Sequence, residues 1–356
     1  MAINLATKYE TKLDERFTQQ SITEAAAGKD FNFEGVNAIK LWTLGKAVIN
    51  NYTTSPSTGV SRFGAIHEVE DEVNTYQLMR KLSFNESFDI TNVQDQMFVK
   101  KANAFLKQVW DEQFVPMVDQ DRLHVWTNGA GHVTVGAALT EQTVVKAILQ
   151  LIATLNNARI PKKNRFIFVR ESTSVNLALS DHMKYNEAFT TGHIVNGQIG
   201  KLKNTPIIEA ADDLLPDGVE VLVKYKRASA DPQKLRMLRV LTESENVAGS
   251  LMQGLVRFDS FVLANKADGI AAYADTGSAV ATPTASLSSS KIALASTTAG
   301  TTIYYTTDGS NPKTSSTRSV YSSTLTVVSG TTLKFYAEKT GLVSSGIVSV
   351  LEDDVT

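Results

Sequence analysis

The composition of the chain changes abruptly near residue 276, and this break indicates at least two separately folded parts. Of the 74 residues from Gly277 to Val350, 31 are serine or threonine and only seven are charged. All five histidines, all seven methionines and all three tryptophans lie before the break. The stretch 276–283 is small and polar and ends in Pro283, which is typical of a linker.

Beyond the linker, residues 284–351 alternate short β-type runs with turn signals. Leu333, Phe335 and Ala337 alternate with more polar residues, which is the period-two pattern of a half-buried strand. The sequence D-G-S-N-P at 308–312 marks a turn rather than a calcium loop, because the later acidic ligand is missing. The pattern predicts a small all-β sandwich.

The part before the break mixes helices and strands without strict alternation, so its fold class is α+β. A helix over about 92–115 has Thr91 and Gln94 as a capping box, and Pro116 is expected to end or kink it. Further helices are predicted at 141–158 and 174–182. Strands are predicted at 165–169, 205–209, 219–225, 235–241 and 257–263.

Residues 53–90 predict a long hairpin that leaves the body. They contain Pro56, Gly59 and Gly64, and alternating β-like stretches near the end. A loop of this length is uncommon within a compact domain, and an isolated hairpin is only marginally stable in water. We therefore expect neighbouring subunits to bury the hairpin.

The sequence offers no motif for catalysis, and we expect neither an enzyme nor a cofactor or metal site. The absence of cysteine excludes disulfides, thiolate nucleophiles and cysteine-ligated metals. The five histidines lack zinc-binding spacing, and the glycine-rich segment 128–132 is interpreted as a mobile connection rather than a phosphate-binding loop.

Charge and hydropathy limit the partners. The net charge is −2, so strong independent binding of nucleic acid is not expected. The apolar runs are too short to span a bilayer, and the first twenty residues lack the apolar core of a secretory signal.

Several segments resemble major capsid proteins of tailed bacteriophages. F-D-I at 88–90, the helix after it, and V-P-M-V-D-Q-D-R at 115–122 resemble a phenylalanine–x–aspartate followed by a V-P-E-x-D-x-x-R stretch, although Met117 replaces the usual acidic residue. The run 254–270 is similar to the G-x-x-x-x-D-a-F-V-l-x-N-K-x-x-G-I ending of that family, and 197–209 is similar to its apical strand entry.

This resemblance implies the Hong Kong 97-like capsid fold over a shell domain of residues 1–275. The implied parts are an N-terminal arm (1–45), an extended loop (53–90), a spine helix (92–115), an apical region (165–235) and a peripheral sheet (236–272).

The last part of the chain resembles the immunoglobulin-like domain at the C-terminus of chitobiase-type glycosidases. The resemblance rests on 303–312, 320–321, 333–337 and 341–345. In those enzymes the domain is an accessory module without catalytic residues. On a virion it implies an outward-projecting domain that contacts host-surface carbohydrate.

Together the two resemblances imply a major capsid protein. Such a subunit assembles with itself into hexamers and pentamers around double-stranded DNA, which it touches weakly and non-specifically, after assembly in the host-cell cytoplasm. Portal, scaffold and decoration proteins are further partners of this class. Two alternatives stay open: an encapsulin-like compartment shell, and a glycoside hydrolase with a carbohydrate-binding tail.

Opposite charges on the predicted hairpin and helix are the candidates for contacts between subunits. An acidic run on the hairpin would meet basic positions on a neighbour's helix, and each exposed pair contributes about 0–1 kcal/mol. In some relatives a hairpin lysine is cross-linked, and Lys81 is the nearest candidate here, although an ordinary surface lysine is the favoured interpretation. The candidate residues are Glu68, Glu70, Asp71, Glu72, Arg80, Lys81, Lys100, Lys101 and Lys107.

Overall fold

The computed structural model describes residues 20–31, 38–44, 49, 51–54, 61–64, 71–89, 102–180, 198–241, 249–288, 291–327, 331–351 and 355. Within them the chain forms a mixed body (residues 20–275) and an all-β C-terminal unit (residues 284–351), which confirms the predicted α+β fold class. The helices are α1 (Ala102–Val109), α2 (Val115–Asn128), α3 (Val144–Asn157) and α4 (Glu171–Leu179).

The strands of the body build four sheets. In chain order they are β1 (Ala38–Leu44), β2 (Asp71–Gln77), β3 (Arg80–Asp89), β4 (His132–Gly136), β5 (Arg165–Arg170), β6 (Gln198–Leu202), β7 (Thr205–Ala210), β8 (Val219–Tyr225), β9 (Ser229–Ala230), β10 (Gln233–Leu241), β11 (Gly249–Phe258), β12 (Phe261–Val262) and β13 (Ile270–Asp275).

The long helix runs past Pro116, so the prediction that this proline ends or kinks it at 115 is wrong. One π-helical turn, Trp110–Phe114, joins α1 to α2, and the amide of Val115 donates to the carbonyl of Trp110. Pro116 lies in the first turn of α2, where a missing N–H costs little. Residues 92–101 and the predicted capping box lie outside the described residues.

A six-stranded mixed sheet, ordered β4-β13-β8-β5-β7-β6, forms the centre of the body. Alternate side chains of its strands enter two different cores. Val221 and Val223 pack with α3, whereas Leu222 packs with Leu123 and Trp126 of α2 on the opposite face. Because both faces are covered, the central strands are almost entirely apolar.

The predicted boundaries of the apical and peripheral parts need correction. The six-stranded sheet takes β4 and β13 from outside the predicted apical region, 165–235. The predicted peripheral segment, 236–272, divides between two sheets, because β10 and β11 pair with each other while β13 pairs with β8. Parallel pairing of β13 with β4 joins segments about 140 residues apart, which local patterns do not reveal.

The hairpin also differs from its predicted range, 53–90. Its described strands are β1 and β2, which pair antiparallel, so it includes part of the segment predicted as an arm. β3 pairs with β11 instead. Leu82 and Phe84 of β3 pack with Val109 and Phe114 of the long helix, and this contact draws β3 into the body.

The segment 128–131, predicted to be a mobile connection, is packed. The amide of Gly131 donates to the carbonyl of Ala267 at 3.0 Å. A Cβ at Gly131 would lie 2.8 Å from backbone atoms of Ala267, so the close approach of the two chains requires glycine.

The C-terminal unit has a core of its own. Ile292, Leu333 and Phe335 are at most 1% exposed and pack with Ile303 and Val280. Its strands are β14 (Thr284–Ser288), β15 (Lys291–Ala295), β16 (Thr302–Thr306), β17 (Ser319–Val320), β18 (Thr332–Glu338) and β19 (Val348–Leu351), arranged as a β14-β15 pair and a β17-β16-β18-β19 sheet.

Candidate interaction surfaces

The segment 20–31 is anchored to α2 by buried polar groups. Asp119 is 3% exposed, and its carboxylate accepts hydrogen bonds from the Ser21 hydroxyl at 2.7 Å, the Ile22 amide at 2.9 Å and the Thr23 hydroxyl. Arg122 donates to Thr23 at 3.0 Å. Burial raises the pKa of Asp119 and the bonds from the segment oppose that rise, so the segment offsets part of the cost of burying this carboxyl.

A second anchor is built around a fully buried lysine. The ammonium of Lys224 donates to the carbonyl of Ala26 at 2.6 Å, lies 3.9 Å above the ring of Trp126 and is 4.0 Å from the carboxylate of Asp231. Burial lowers the pKa of Lys224 to about 7, and Asp231 opposes this effect. Asp231 also accepts from the Gly28 amide at 2.7 Å. The segment therefore contacts the body at both of its ends.

The C-terminal unit is docked on the body through direct hydrogen bonds. Lys313 donates to the carbonyls of Asn128 and Ala130 at the end of α2. Asn311 donates to the carbonyl of Ala264 at 2.8 Å, and the amide of Ile347 donates to that of Gly131 at 2.7 Å. These contacts fix the unit against the carboxyl end of the long helix.

The predicted linker, 276–283, is not an exposed spacer. Ala279 is 3% exposed and belongs to the main core of the body together with Val343. Val280 is fully buried, and its amide donates to the carbonyl of Val343 at 2.9 Å. Small side chains in this segment permit close packing, which the composition alone does not distinguish from flexibility.

A cleft of about 1320 Å³ lies between the C-terminal unit and the body. One wall contains Asn74 of β2 and His124 of α2, and the other contains Arg318, Glu338 and Lys339. Burial lowers the pKa of His124, while Asp217 opposes this effect.

The predicted subunit-contact residues fall into different environments. Arg80 forms an ion pair with the buried carboxylate of Asp121 within the same chain. Lys81 of β3 and Lys107 of α1 are exposed. Asp71 and Glu72 lie on β2, opposite Leu44 and Thr43; Glu68, Glu70, Lys100 and Lys101 lie outside the described residues. The role of all nine in subunit contacts stays a prediction.

The residues that the motifs single out hold structural positions. Asp119 and Arg122 of the V-P-M-V-D-Q-D-R stretch bind segment 20–31. Gly254 lies where a Cβ would come within 2.0 Å of the Phe84 ring. Asp259 accepts the amide of Met79 at 2.8 Å. The motifs could have indicated these positions, but not their partners; Lys224 and Lys313 carry no such signal.

Other kinds of site find no support in the described part of the chain. It contains no cluster of three or more histidine, aspartate or glutamate side chains that could hold a metal ion. None of its helices is long and apolar enough to cross a membrane.

The fold is similar to solved structures from bacteriophages. The capsid structure of the cyanophage P-SCSP1u is 13% identical with a TM-score of 0.60, over 76% of this chain and 93% of that one. A structure from Mycobacterium phage Che8 is 16% identical with a TM-score of 0.57, over 76% and 98%. The capsid of Ralstonia phage GP4 is 11% identical with a TM-score of 0.55, over 75% and 94%.

A family model for the chitobiase/β-hexosaminidase C-terminal domain matches residues 282–349. No curated protein matches the chain by sequence. The body therefore has the fold of bacteriophage capsid subunits, and an immunoglobulin-like domain of the chitobiase C-terminal type follows it, as the two resemblances imply. The individual domain boundaries stay predictions.

Proposed function

We propose that this chain is the major capsid protein of a tailed bacteriophage, a non-enzymatic subunit of an icosahedral shell around double-stranded DNA. The observation that supports this most strongly is the likeness of three quarters of the chain to nearly complete phage capsid subunits. Hexamers and pentamers of the subunit would assemble in the host-cell cytoplasm and become part of the virion. Portal, scaffold and decoration proteins would be its further partners.

The hairpin β1–β2 supports self-assembly. Trp42 on β1 is 69% exposed and Val73 on β2 is 42% exposed, although large apolar side chains on a two-stranded sheet are stabilised by burial. A neighbouring subunit would cover them. Because Arg80 is paired with Asp121 in its own chain, the exposed Lys81 and Lys107 are the better candidates for contacts between subunits.

Electron microscopy of the purified full chain tests the assembly function. We expect closed shells or capsomers, together with slower hydrogen exchange in β1 and β2 than in the dissociated subunit. A protein that stays monomeric at high concentration, with equal protection of the hairpin in all conditions, contradicts the proposal. Sequencing of enclosed nucleic acid separates a viral capsid from an encapsulin-like compartment, which would enclose protein.

The C-terminal domain would face the outside of the shell and contact carbohydrate on the host surface. Its likeness to an accessory domain of carbohydrate-processing enzymes supports this role. Adsorption of particles with and without the domain to host cells tests it. Equal adsorption rates would contradict a role in host contact while leaving the shell function intact.

A further inference from the structure

The cleft between the C-terminal unit and the body contains polar groups that lack partners. Asn74 is 8% exposed, yet its side-chain Nδ2 makes no hydrogen bond to any described residue. Nε2 of His124, across the same wall, is also buried without a described partner. A buried donor or acceptor without a partner costs about 1–3 kcal/mol, and a ligand that supplies hydrogen bonds would remove that cost.

The charge of the cleft favours an anionic ligand. Four cationic side chains line it, Arg80, Lys313, Arg318 and Lys339, against the single carboxylate of Glu338. Arg80 is partly neutralised by Asp121, and Arg318 lies over the Tyr304 ring and donates to the Tyr336 hydroxyl. The lining is nevertheless positive in a chain whose net charge is −2. Such a local field raises the concentration of anions near the cleft.

The lining favours a hydroxyl-rich anion over a nucleic acid. Tyr336 is only 2% exposed, so its ring offers no open platform for base stacking. Glu338 repels phosphates but accepts hydrogen bonds from hydroxyl groups. Hydroxyl side chains of Thr302, Ser316 and Thr340 stand near it in the lining and can both donate and accept.

The same lining is unsuited to an acidic peptide. Peptide recognition usually needs apolar pockets for side chains or a long free strand edge. The edge strand of the C-terminal sheet, β17, has only two residues, and serine, threonine and asparagine side chains dominate both walls.

We propose that this cleft binds an oligosaccharide that carries at least one carboxylate. The carboxylate would lie near Lys339 and Arg318, and the sugar hydroxyls would bond with Asn74, His124 and Glu338. The proposal gives a place and a chemical class to the host-carbohydrate contact proposed above, and in that respect it rests on the proposed function.

Calorimetric titration of the full chain tests the proposal with defined probes. The carboxylated probes are hexagalacturonate, hexamannuronate and sialyllactose, and maltohexaose is the neutral control of matched length. We expect at least one carboxylated probe to bind at least tenfold more tightly than maltohexaose. No measurable binding of any of the three overturns the proposal, as does tighter binding of a thymidine hexanucleotide or of hexaglutamate.

Two variants locate the binding site. Lys339→Glu reverses an exposed charge in the cleft, and Asn74→Leu removes the unpartnered donor. Lys291→Glu is the matched control, because this exposed lysine lies on β15 outside the lining. We expect Lys339→Glu to weaken binding at least tenfold and Lys291→Glu to change it less than twofold, with thermal melts confirming that both fold. Equal affinity of the two variants overturns the assignment to the cleft.

The outcome is separable from that of the shell function. Shells that form without binding any probe leave the capsid proposal intact and remove this one. Specific binding by a chain that never assembles would remove the capsid proposal and leave the site.

Discussion

The ammonium of Lys313 lies 2.8 Å from the carbonyl oxygen of Ala130, just beyond the carboxyl end of α2. It also donates to the carbonyl of Asn128 at 2.9 Å and contacts the hydroxyl of Ser344 at 3.1 Å. Carbonyls at a helix C-terminus carry partial negative charge and attract a cation. Burial lowers the pKa of Lys313 to about 7, while Glu338 opposes this effect. One side chain thus couples the immunoglobulin-like domain to the longest helix of the shell subunit.

Replacing this lysine should loosen the domain without unfolding it. Lys313→Met keeps much of the side-chain volume but leaves the Ala130 carbonyl without its donor, which costs about 1–3 kcal/mol. We expect faster proteolysis between residues 276 and 283 and faster hydrogen exchange at Gly131. Lys339→Met is the control, since Lys339 is exposed and donates within its own domain to Ala299. Equal proteolysis of the two variants would show that Lys313 does not hold the interface.

Removing the whole domain should still leave an assembling subunit of lower stability. A cut after Tyr273, at the break suggested by composition, would remove the last residues of β13, whereas a cut after Thr276 keeps that strand. The shortened chain loses Ala279 and Val343 from the main core, so its melting temperature should fall. Electron micrographs should show shells of unchanged diameter and smoother outline. Failure to form shells would make the domain a necessary structural component.

Patterns of short range in the chain were enough to predict several elements. The apolar spacing of Val144, Ile148, Ile152 and Leu155 predicts α3, which is found at Val144–Asn157 within the predicted range. The strand predicted over 219–225 is β8. Their side chains are buried by this same periodicity, so the local pattern and the tertiary packing agree.

Features that depend on distant partners could not be predicted in the same way. β3 was assigned to the hairpin because its pairing with β11 joins segments some 170 residues apart. Asp119 resembled any helical carboxylate, since its donors Ser21, Ile22 and Thr23 lie almost 100 residues earlier. The small residues of the linker indicated flexibility, although small size equally permits the burial of Ala279.

The anchor of segment 20–31 should be sensitive to the Asp119 carboxylate. Asp119→Ala leaves two hydroxyls and the Ile22 amide without their acceptor, and we expect a loss of about 2–4 kcal/mol in the free energy of unfolding. Asp213→Ala is the control, because that carboxylate is exposed. Urea unfolding of the unassembled subunit measures both. A loss below 0.5 kcal/mol for Asp119→Ala would contradict the role of this anchor.

Gly28→Ala tests the other end of the same segment. A Cβ at this position would lie 1.9 Å from the carbonyl oxygen of Ser229, so the backbone must move away from β9. The Gly28 amide would then lose its bond to Asp231. We expect faster hydrogen exchange over residues 22–28 with little change in α3. Unchanged exchange in that segment would show that the close contact is not needed.

The stability of the body should also depend on the protonation of Glu220. This carboxyl is 5% exposed and accepts the amide of Leu139 at 2.9 Å and the hydroxyl of Thr173 at 3.0 Å. Burial raises its pKa to about 7, and a hydrogen bond with Asp275, which requires a shared proton, adds to the rise. The nearby Tyr273 hydroxyl also has a raised pKa, through burial and the charges of Glu220 and Asp275.

Because the pKa of Glu220 is higher in the folded chain than its ordinary value of 4.5, the folded state binds the proton more tightly. The resulting stability is complete below about pH 4.5 and is lost as the pH rises through about 7. Glu220→Gln mimics the protonated form at every pH. The variant should therefore match the wild type near pH 4.5 and exceed it by about 1–3 kcal/mol above pH 7.5. Urea unfolding of the unassembled subunit from pH 4.5 to 8 measures the difference, with Glu141→Gln as an exposed control. A difference that stays constant over this range would show that Glu220 does not titrate between the two limits.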